Sequence, residues 1–440
     1  MPTATFPTIG IFPDGTTVTP SQHLALGGCD VTGLAARFGT PLYVFDETTL
    51  RRRAAEFIQE FGSRYPEVTV LYASKAFINT ALVRLFAEEG MGFDVVSAGE
   101  LAVVRAAGAS LERVYFHGNN KGPEELRLAL DWGIGRIVVD NFYELETLEM
   151  LAAQRGRSQD ALLRITPGVD PHTHAYISTG ATDSKFGFPL ATGAAEQAVR
   201  QAMALPHVNL IGLHMHLGSQ LFETEPYSMA IDGLVGFAAR MVRQHGLQLR
   251  EFSPGGGFAV QYVEGRVAPS LGVYAQVICD AMKQACAGHG LPLPRLIIEP
   301  GRSSVARAGV AVYTVGAIKD IPGVRKYVSV DGGMADNIRP ALYQAKYEAV
   351  LANRMDAPLV ETVTIAGKYC ESGDILITDL HAPALRPGDM LALPASGAYC
   401  LAMSSNYNAS PRPAVVLVRE GAARLIRRRE TYDDLMQWDV

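Results

Sequence analysis

Residues 69–97 read TVLYASKAFINTALVRLFAEEGMGFDVVS, and this stretch decides the fold. Two short apolar runs, 69–75 and 92–97, flank a segment with Leu82, Leu85 and Phe86 at i, i+3 and i+4 spacing. Runs too short for helices on either side of an amphipathic stretch mark a strand–helix–strand unit. Asn79 stands where a helix cap belongs, with a side chain able to accept from the first turn.

Outward from this unit the alternation continues to residue 301. Further strand-like runs lie at 114–118 (VYFHG), 136–140 (RIVVD), 161–167 (ALLRITP), 210–218 (LIGLHMHLG), 249–257 (LREFSPGGG) and 295–301 (RLIIEPG). A second helix is expected over Pro123–Trp132. Eight strands with room for a helix after each fit a TIM-like (β/α)8 barrel over residues 45–302, and an open doubly wound sheet is the alternative. Beyond residue 303 the texture changes to short alternating runs at 310–315, 360–365, 390–394 and 414–419. Residues 303–440 are therefore expected to form a β-sandwich or β-barrel domain, completed by residues 1–44 at the N-terminus.

With 48% hydrophobic and 19% charged residues in 440, the chain has the composition of a protein with a substantial core rather than a disordered one. Its 39 basic against 45 acidic residues give a net charge of -6, which offers no general attraction to nucleic acid or anionic lipid. No secretory leader and no uninterrupted apolar span stand out, so the cytoplasm is the expected compartment. The five cysteines are scattered without a C-x-x-C pair, which argues against disulfides and zinc; four are expected to be buried. The arginine triplets at 51–53 and 427–429 read as solvated faces.

Barrel enzymes build their sites at the carboxyl ends of the strands, so polar residues closing apolar runs carry weight. Lys75, Asp94, Ser97, His117, Arg164, His214, His216 and Glu299 all do so. A lysine at the inward end of such a run is desolvated, which favours a nucleophilic amine and Schiff-base chemistry. Gly255-Gly256-Gly257 offers backbone N–H groups for a phosphate, with Ser219 near in strand order. Amine, phosphate cradle and the acid Glu299 together describe a pyridoxal 5'-phosphate site.

Six motifs follow in order: Tyr72-Ala73-Ser74-Lys75-Ala76, the 214–220 run HMHLGSQ, Gly255-Gly256-Gly257, Glu299-Pro300-Gly301-Arg302, Cys370-Glu371-Ser372-Gly373-Asp374 and Gly397-Ala398-Tyr399. From about residue 30 nearly to the end, the chain resembles the barrel-type pyridoxal phosphate-dependent decarboxylases. Residues 176–188, 339–343 and 403–413 resemble the branch of that family that acts on diaminopimelate.

The resemblance implies decarboxylation of meso-2,6-diaminopimelate to L-lysine, the last step of lysine biosynthesis, by a homodimer with shared sites. It implies that Lys75 carries the cofactor, His216 stacks on its ring and Glu299 meets the ring nitrogen. Ser219, Gly256, Gly257 and Tyr399 would bind phosphate, and Arg302, Arg339 and Tyr343 a substrate carboxylate. Cys370 and Glu371 would reach the neighbouring subunit's site, with Cys370 as proton donor. Asp94 and His117 would support the cofactor residues, His214 would be structural, and Cys400 has no assigned role. Arg339 is expected at an exposed position. Competing readings are a decarboxylase of ornithine or arginine, a racemase, a non-enzymatic cofactor-binding homologue, and a metal hydrolase using His172, His174, His214 and His216. The motif order disfavours the last, so no metal is expected.

Overall fold

The computed structural model describes residues 7–168 and 183–440. The His172 and His174 pair and most of the 176–188 stretch lie outside the described residues. The chain divides into two compact units, one of Arg53–Ala259 with Ala268–Gly301, the other of Met1–Arg52, Val260–Val267 and Arg302–Val440. Among the described residues no helix is long and apolar enough to cross a membrane.

The first unit is a closed barrel of eight parallel strands: β1 (Val68–Ala73), β2 (Gly92–Val95), β3 (Val114–Phe116), β4 (Arg136–Val139), β5 (Gln159–Thr166), β6 (Val208–His214), β7 (Glu251–Gly255) and β8 (Arg295–Ile298). Each strand pairs with the next in sequence, and Leu296–Val68 and Ile298–Val70 pairing of β8 with β1 closes the ring. That closure excludes the open doubly wound sheet. Helices Thr80–Glu88 and Pro123–Trp132 form where the apolar spacing places them, and Asn79 caps the first by accepting from Leu82 N at 2.9 Å.

The interior is filled, not hollow. Leu71, Tyr115, Val138, Leu162, Ile211 and Ile297 pack together inside it. At the amino ends of the strands sits a buried carboxylate, Glu251, which accepts from Tyr115 Oη at 2.9 Å and from Arg136 Nη2 at 2.8 Å, with Arg295 Nη1 at 3.7 Å.

Every strand ends one to four residues earlier than its apolar run. Hydrophobicity reports burial, whereas a strand ends where the ladder bonds stop; past that point the chain stays buried while it turns across the rim. Lys75, His117, His216 and Glu299 therefore stand just beyond their strands rather than within them.

In the second unit, strand Leu42–Asp46 lies between two others, antiparallel to Gly309–Ile321 and parallel to Ala414–Arg419. The N-terminal segment thus completes this sheet. Leu42, Val44, Val310, Val312, Ala392 and Val416 share its core. The arginine triplets are more tied down than solvated faces would be. Arg51 and Arg52 pair with Glu47 and Asp14 at 2.8 and 2.5 Å, and Arg429 donates to Pro41 O at 2.7 Å. Glu47 lies one helical turn from Arg51, whereas Asp14 and the Pro41 carbonyl are far in sequence from the arginines that reach them.

Glu251→Ala strands Arg136 and the Tyr115 hydroxyl without their acceptor, which should cost about 3 kcal/mol of stability. Because this end of a barrel carries stability rather than chemistry, the melting temperature should fall while kcat/KM, read below the melt, stays at the wild-type value.

Candidate active site

The carboxyl rim gathers the polar residues of six strands. Past Ala73 the chain enters a single tight turn, Ser74–Ala76, so Lys75 leaves the ladder at the rim. Tyr72 Oη donates to Phe77 O at 2.6 Å and Ala73 N to Pro300 O at 3.0 Å, which fixes that turn against the segment after β8. The half-buried Lys75 amine acts electrostatically on Asp94, Glu100, His117 and His216.

Glu299, the first residue past β8, is clamped. His214 Nε2 donates to its Oε2 at 3.0 Å and Ser253 Oγ to its Oε1 at 2.7 Å. His117 Nε2 lies 3.6 Å from Glu299 Oε1 and 3.8 Å from Asp94 Oδ1, and its ring meets that of His214 edge to face at 4.8 Å. Asp94, His117, His214 and Glu299 are each at most 5% exposed. His214, expected to be structural, orients this carboxylate.

Two buried carboxyls are driven apart here. Burial raises Asp94 to about 8, with the nearby Lys75 amine only partly offsetting it. Burial acts on Glu299 the same way, but the imidazoles, His214 foremost, and the bonds from His214 and Ser253 outweigh it and hold Glu299 below the usual carboxylate range. Near neutrality Glu299 is charged and Asp94 carries a proton, a separation typical of functional sites. Burial also holds His117 well below its ordinary value, so its ring is neutral.

Asp94 Oδ1, His117 Nε2 and His214 Nδ1 have no hydrogen-bond partner among the described residues. Orphaned buried polar atoms around a charged carboxylate fit a polar ring seated on this rim. The ligand atoms of His117, His214 and Glu299 also lie within 4.8 Å of one another, as a metal would require, but His216 stands outside that group. Its Nδ1 accepts from Gly256 N at 3.3 Å instead.

The glycine run has a packing role of its own. A Cβ on Gly256 would come within 2.1 Å of Glu299 O, and one on Gly257 within 2.6 Å of Gly218 O, so only glycine lets the ends of β6, β7 and β8 approach so closely. The 214–220 run carries Ser219 beside this contact.

The second unit holds two further groups. Arg302 Nη1 donates to Tyr262 Oη at 2.8 Å, and the Arg302 guanidinium lies 4.7 Å over the Tyr399 ring. Arg339, expected to be exposed, is buried at 5% exposure, over the Tyr262 ring at 4.6 Å and bonded through Nη1 to Tyr347 Oη. Its helix, Arg339–Tyr343, turns the arginine inward, and the buried phenol beside it is Tyr347, whereas Tyr343 is half-buried. Tyr347 Oη also lies 3.4 Å from Cys400 Sγ, giving that cysteine a structural contact.

Cys370 is the one exposed cysteine of the five. Its N–H donates to Asn408 Oδ1 at 2.9 Å and its carbonyl accepts from Tyr407 Oη at 3.2 Å. Asp374 secures the same loop by accepting from Tyr369 N and Met334 N at 2.8 and 2.6 Å. Glu371 is exposed beside Cys370. Ser253, Tyr262 and Tyr347 escape the sequence reading. Only Ser253 leaves a signal, a polar residue inside the seventh apolar run.

A rim bearing a lysine amine and a clamped carboxylate defines a class, and the comparisons name it. Residues 47–306 match the family described as "Pyridoxal-dependent decarboxylase, pyridoxal binding domain", and the chain belongs to that family. Within it the similarity is to diaminopimelate decarboxylases. That of Bacillus subtilis (strain 168) is 49% identical over 418 residues, 95% of each chain. The crystal structure of the M. jannaschii diaminopimelate decarboxylase in co-complex with L-lysine is 34% identical, with a TM-score of 0.91 over 97% of this chain and 98% of that one. The Helicobacter pylori enzyme complexed with L-lysine is 32% identical, with a TM-score of 0.85 over 93% and 98%.

An Asp94 carboxyl raised to about 8 adds nothing unfavourable below its unfolded value of roughly 4 and costs progressively more up to pH 8, by at most about 1.4 kcal/mol per pH unit. Asp94→Asn should therefore gain on the wild type in melting temperature from pH 5 to 8 and hold a constant difference above that. Glu299→Gln should trail the wild type throughout, because a depressed carboxyl stabilises at every pH above its unfolded value. Parallel melting curves for Asp94→Asn and wild type would mean that Asp94 is ionised across the range.

Proposed function

We propose that this protein decarboxylates meso-2,6-diaminopimelate to L-lysine and CO2 with pyridoxal 5'-phosphate as cofactor. The observation that carries the reading is the buried, ionised Glu299 on the rim that also bears the Lys75 amine. When bound, the cofactor supplies an electron sink for the pair released as the bond to CO2 breaks.

The chain's own residues do the rest. Lys75 would hold the cofactor through its amine. Glu299, fixed by His214 and Ser253, would keep the cofactor's ring nitrogen protonated. His216 would pack against the cofactor, with Asp94 and His117 as neutral neighbours that add no competing charge. Ser219, Gly256, Gly257 and the Tyr399 hydroxyl would bind its phosphate. Arg302 and Arg339, with Tyr343, hold the carboxylate that is not lost, since two guanidiniums favour an anion and repel the far ammonium of ornithine or the guanidinium of arginine. Cys370, beside Glu371, delivers a proton to the carbon that CO2 leaves, acting in the site of a second copy within a homodimer. Product analysis with diaminopimelate, ornithine and arginine tests the whole reading; lysine should form and putrescine and agmatine should not.

Borohydride treatment of the holoenzyme should fix the cofactor to Lys75, read by peptide mass mapping. A label on another lysine would displace Lys75 from this role.

The shared site has its own test. Lys75→Ala and Cys370→Ala should each be nearly inactive. Mixed under conditions of subunit exchange, they should recover roughly a quarter of wild-type activity, because half the dimers are mixed and each has one intact site. Confirmed mixed dimers without activity would show that each subunit builds its own site.

A further inference from the structure

Tyr262 stands at the centre of a cluster of two arginines and two further tyrosines. Tyr399 lies against Arg302 at 4.7 Å, Arg302 donates to Tyr262 Oη at 2.8 Å, Arg339 lies over the Tyr262 ring at 4.6 Å, and Arg339 also donates to Tyr347 Oη. Tyr347 meets Tyr262 edge to face at 5.5 Å. One phenol thus serves both cations, one through its oxygen and the other through its face. Two guanidiniums near a single ring repel each other, and the negative π face and the phenol oxygen of Tyr262 are what offset that repulsion. Arg339 Nε, though buried, has no hydrogen-bond partner among the described residues, so part of this guanidinium's bonding capacity is left for a ligand.

The sequence gives Tyr262 no signal, because it lies in Val260–Val267, a short excursion of the chain out of the barrel unit and into the β unit. It is neither at a strand end nor in one of the motifs. Truncating its hydroxyl would remove one of the contacts that direct Arg302 while Arg339 kept its stacking surface.

We infer that Tyr262 is a positioning residue for specificity, which sets the two guanidiniums as one seat for the substrate's retained carboxylate. The inference rests on the assignment of Arg302 and Arg339 to that carboxylate, and the test separates the two. L-Lysine and cadaverine differ by this one carboxylate, so their dissociation constants for the holoenzyme, measured by calorimetry, isolate the seat. Wild type should bind lysine far more tightly than cadaverine. Tyr262→Phe should weaken lysine roughly tenfold to a hundredfold, the worth of one charge-assisted hydrogen bond, and leave cadaverine unchanged. With diaminopimelate its KM should rise by a similar factor while kcat moves little. Tyr262→Leu, which also removes the face under Arg339, should lose more of the lysine preference. Cadaverine binding that persists certifies a folded site in either variant. If wild type binds the two ligands alike, the carboxylate assignment fails. If wild type prefers lysine and Tyr262→Phe keeps that preference, or loses both ligands equally, the role given to Tyr262 is wrong.

Discussion

A carboxylate in a protein interior is expensive to keep ionised, and the barrel rim is organised around keeping Glu299 so. Three consecutive strands contribute to it: β6 brings His214, β7 brings Ser253, and β8 delivers Glu299 itself. Each donor satisfies a different carboxylate oxygen, so the charge is held by direct bonds rather than by solvent, which burial excludes. The clamp works only if the three strand ends are closer than ordinary side chains allow. Gly256 and Gly257 supply that closeness, and this is why the glycine run matters even before any phosphate is considered.

Distribution of protons follows from the clamp. Once Glu299 is ionised, a second negative charge at Asp94 would lie in the same buried region with no donor on its Oδ1, and the lower-energy state puts a proton there. His117 between them is left neutral by the same burial. The Glu299 charge, the Asp94 proton and the neutral His117 ring form a set in which changing one member redistributes the others, so single substitutions on this rim act as more than local deletions.

Much of this was readable from residue order. Strand–helix alternation defines the barrel because burial on both faces makes parallel strands continuous apolar runs, and Lys75 and Glu299 stand out as the polar residues that end them. Cys370 could be told from the other four cysteines by its neighbours, and it is the exposed one. What the pattern could not give was direction. Arg339 looked like a surface arginine because charge predicts exposure in the absence of partners; its partners, Tyr262 and Tyr347, are aromatic residues at sequence distances that no periodicity connects. Ladder ends were overestimated for a related reason, since an apolar residue on the rim and one in the strand look alike.

The two units solve opposite electrostatic problems with different chemistry. In the barrel, hydrogen-bond donors hold an anion, and the geometry must be exact in distance because each donor serves one lone pair. In the β unit, aromatic faces hold cations, and a ring tolerates a guanidinium anywhere above it, so Arg339 and Arg302 can share Tyr262 at quite different geometries. That tolerance leaves Arg339 Nε without a hydrogen-bond partner among the described residues, whereas an arginine neutralised by an acid, such as Arg136 on Glu251, spends its N–H groups on the carboxylate that holds the structure together.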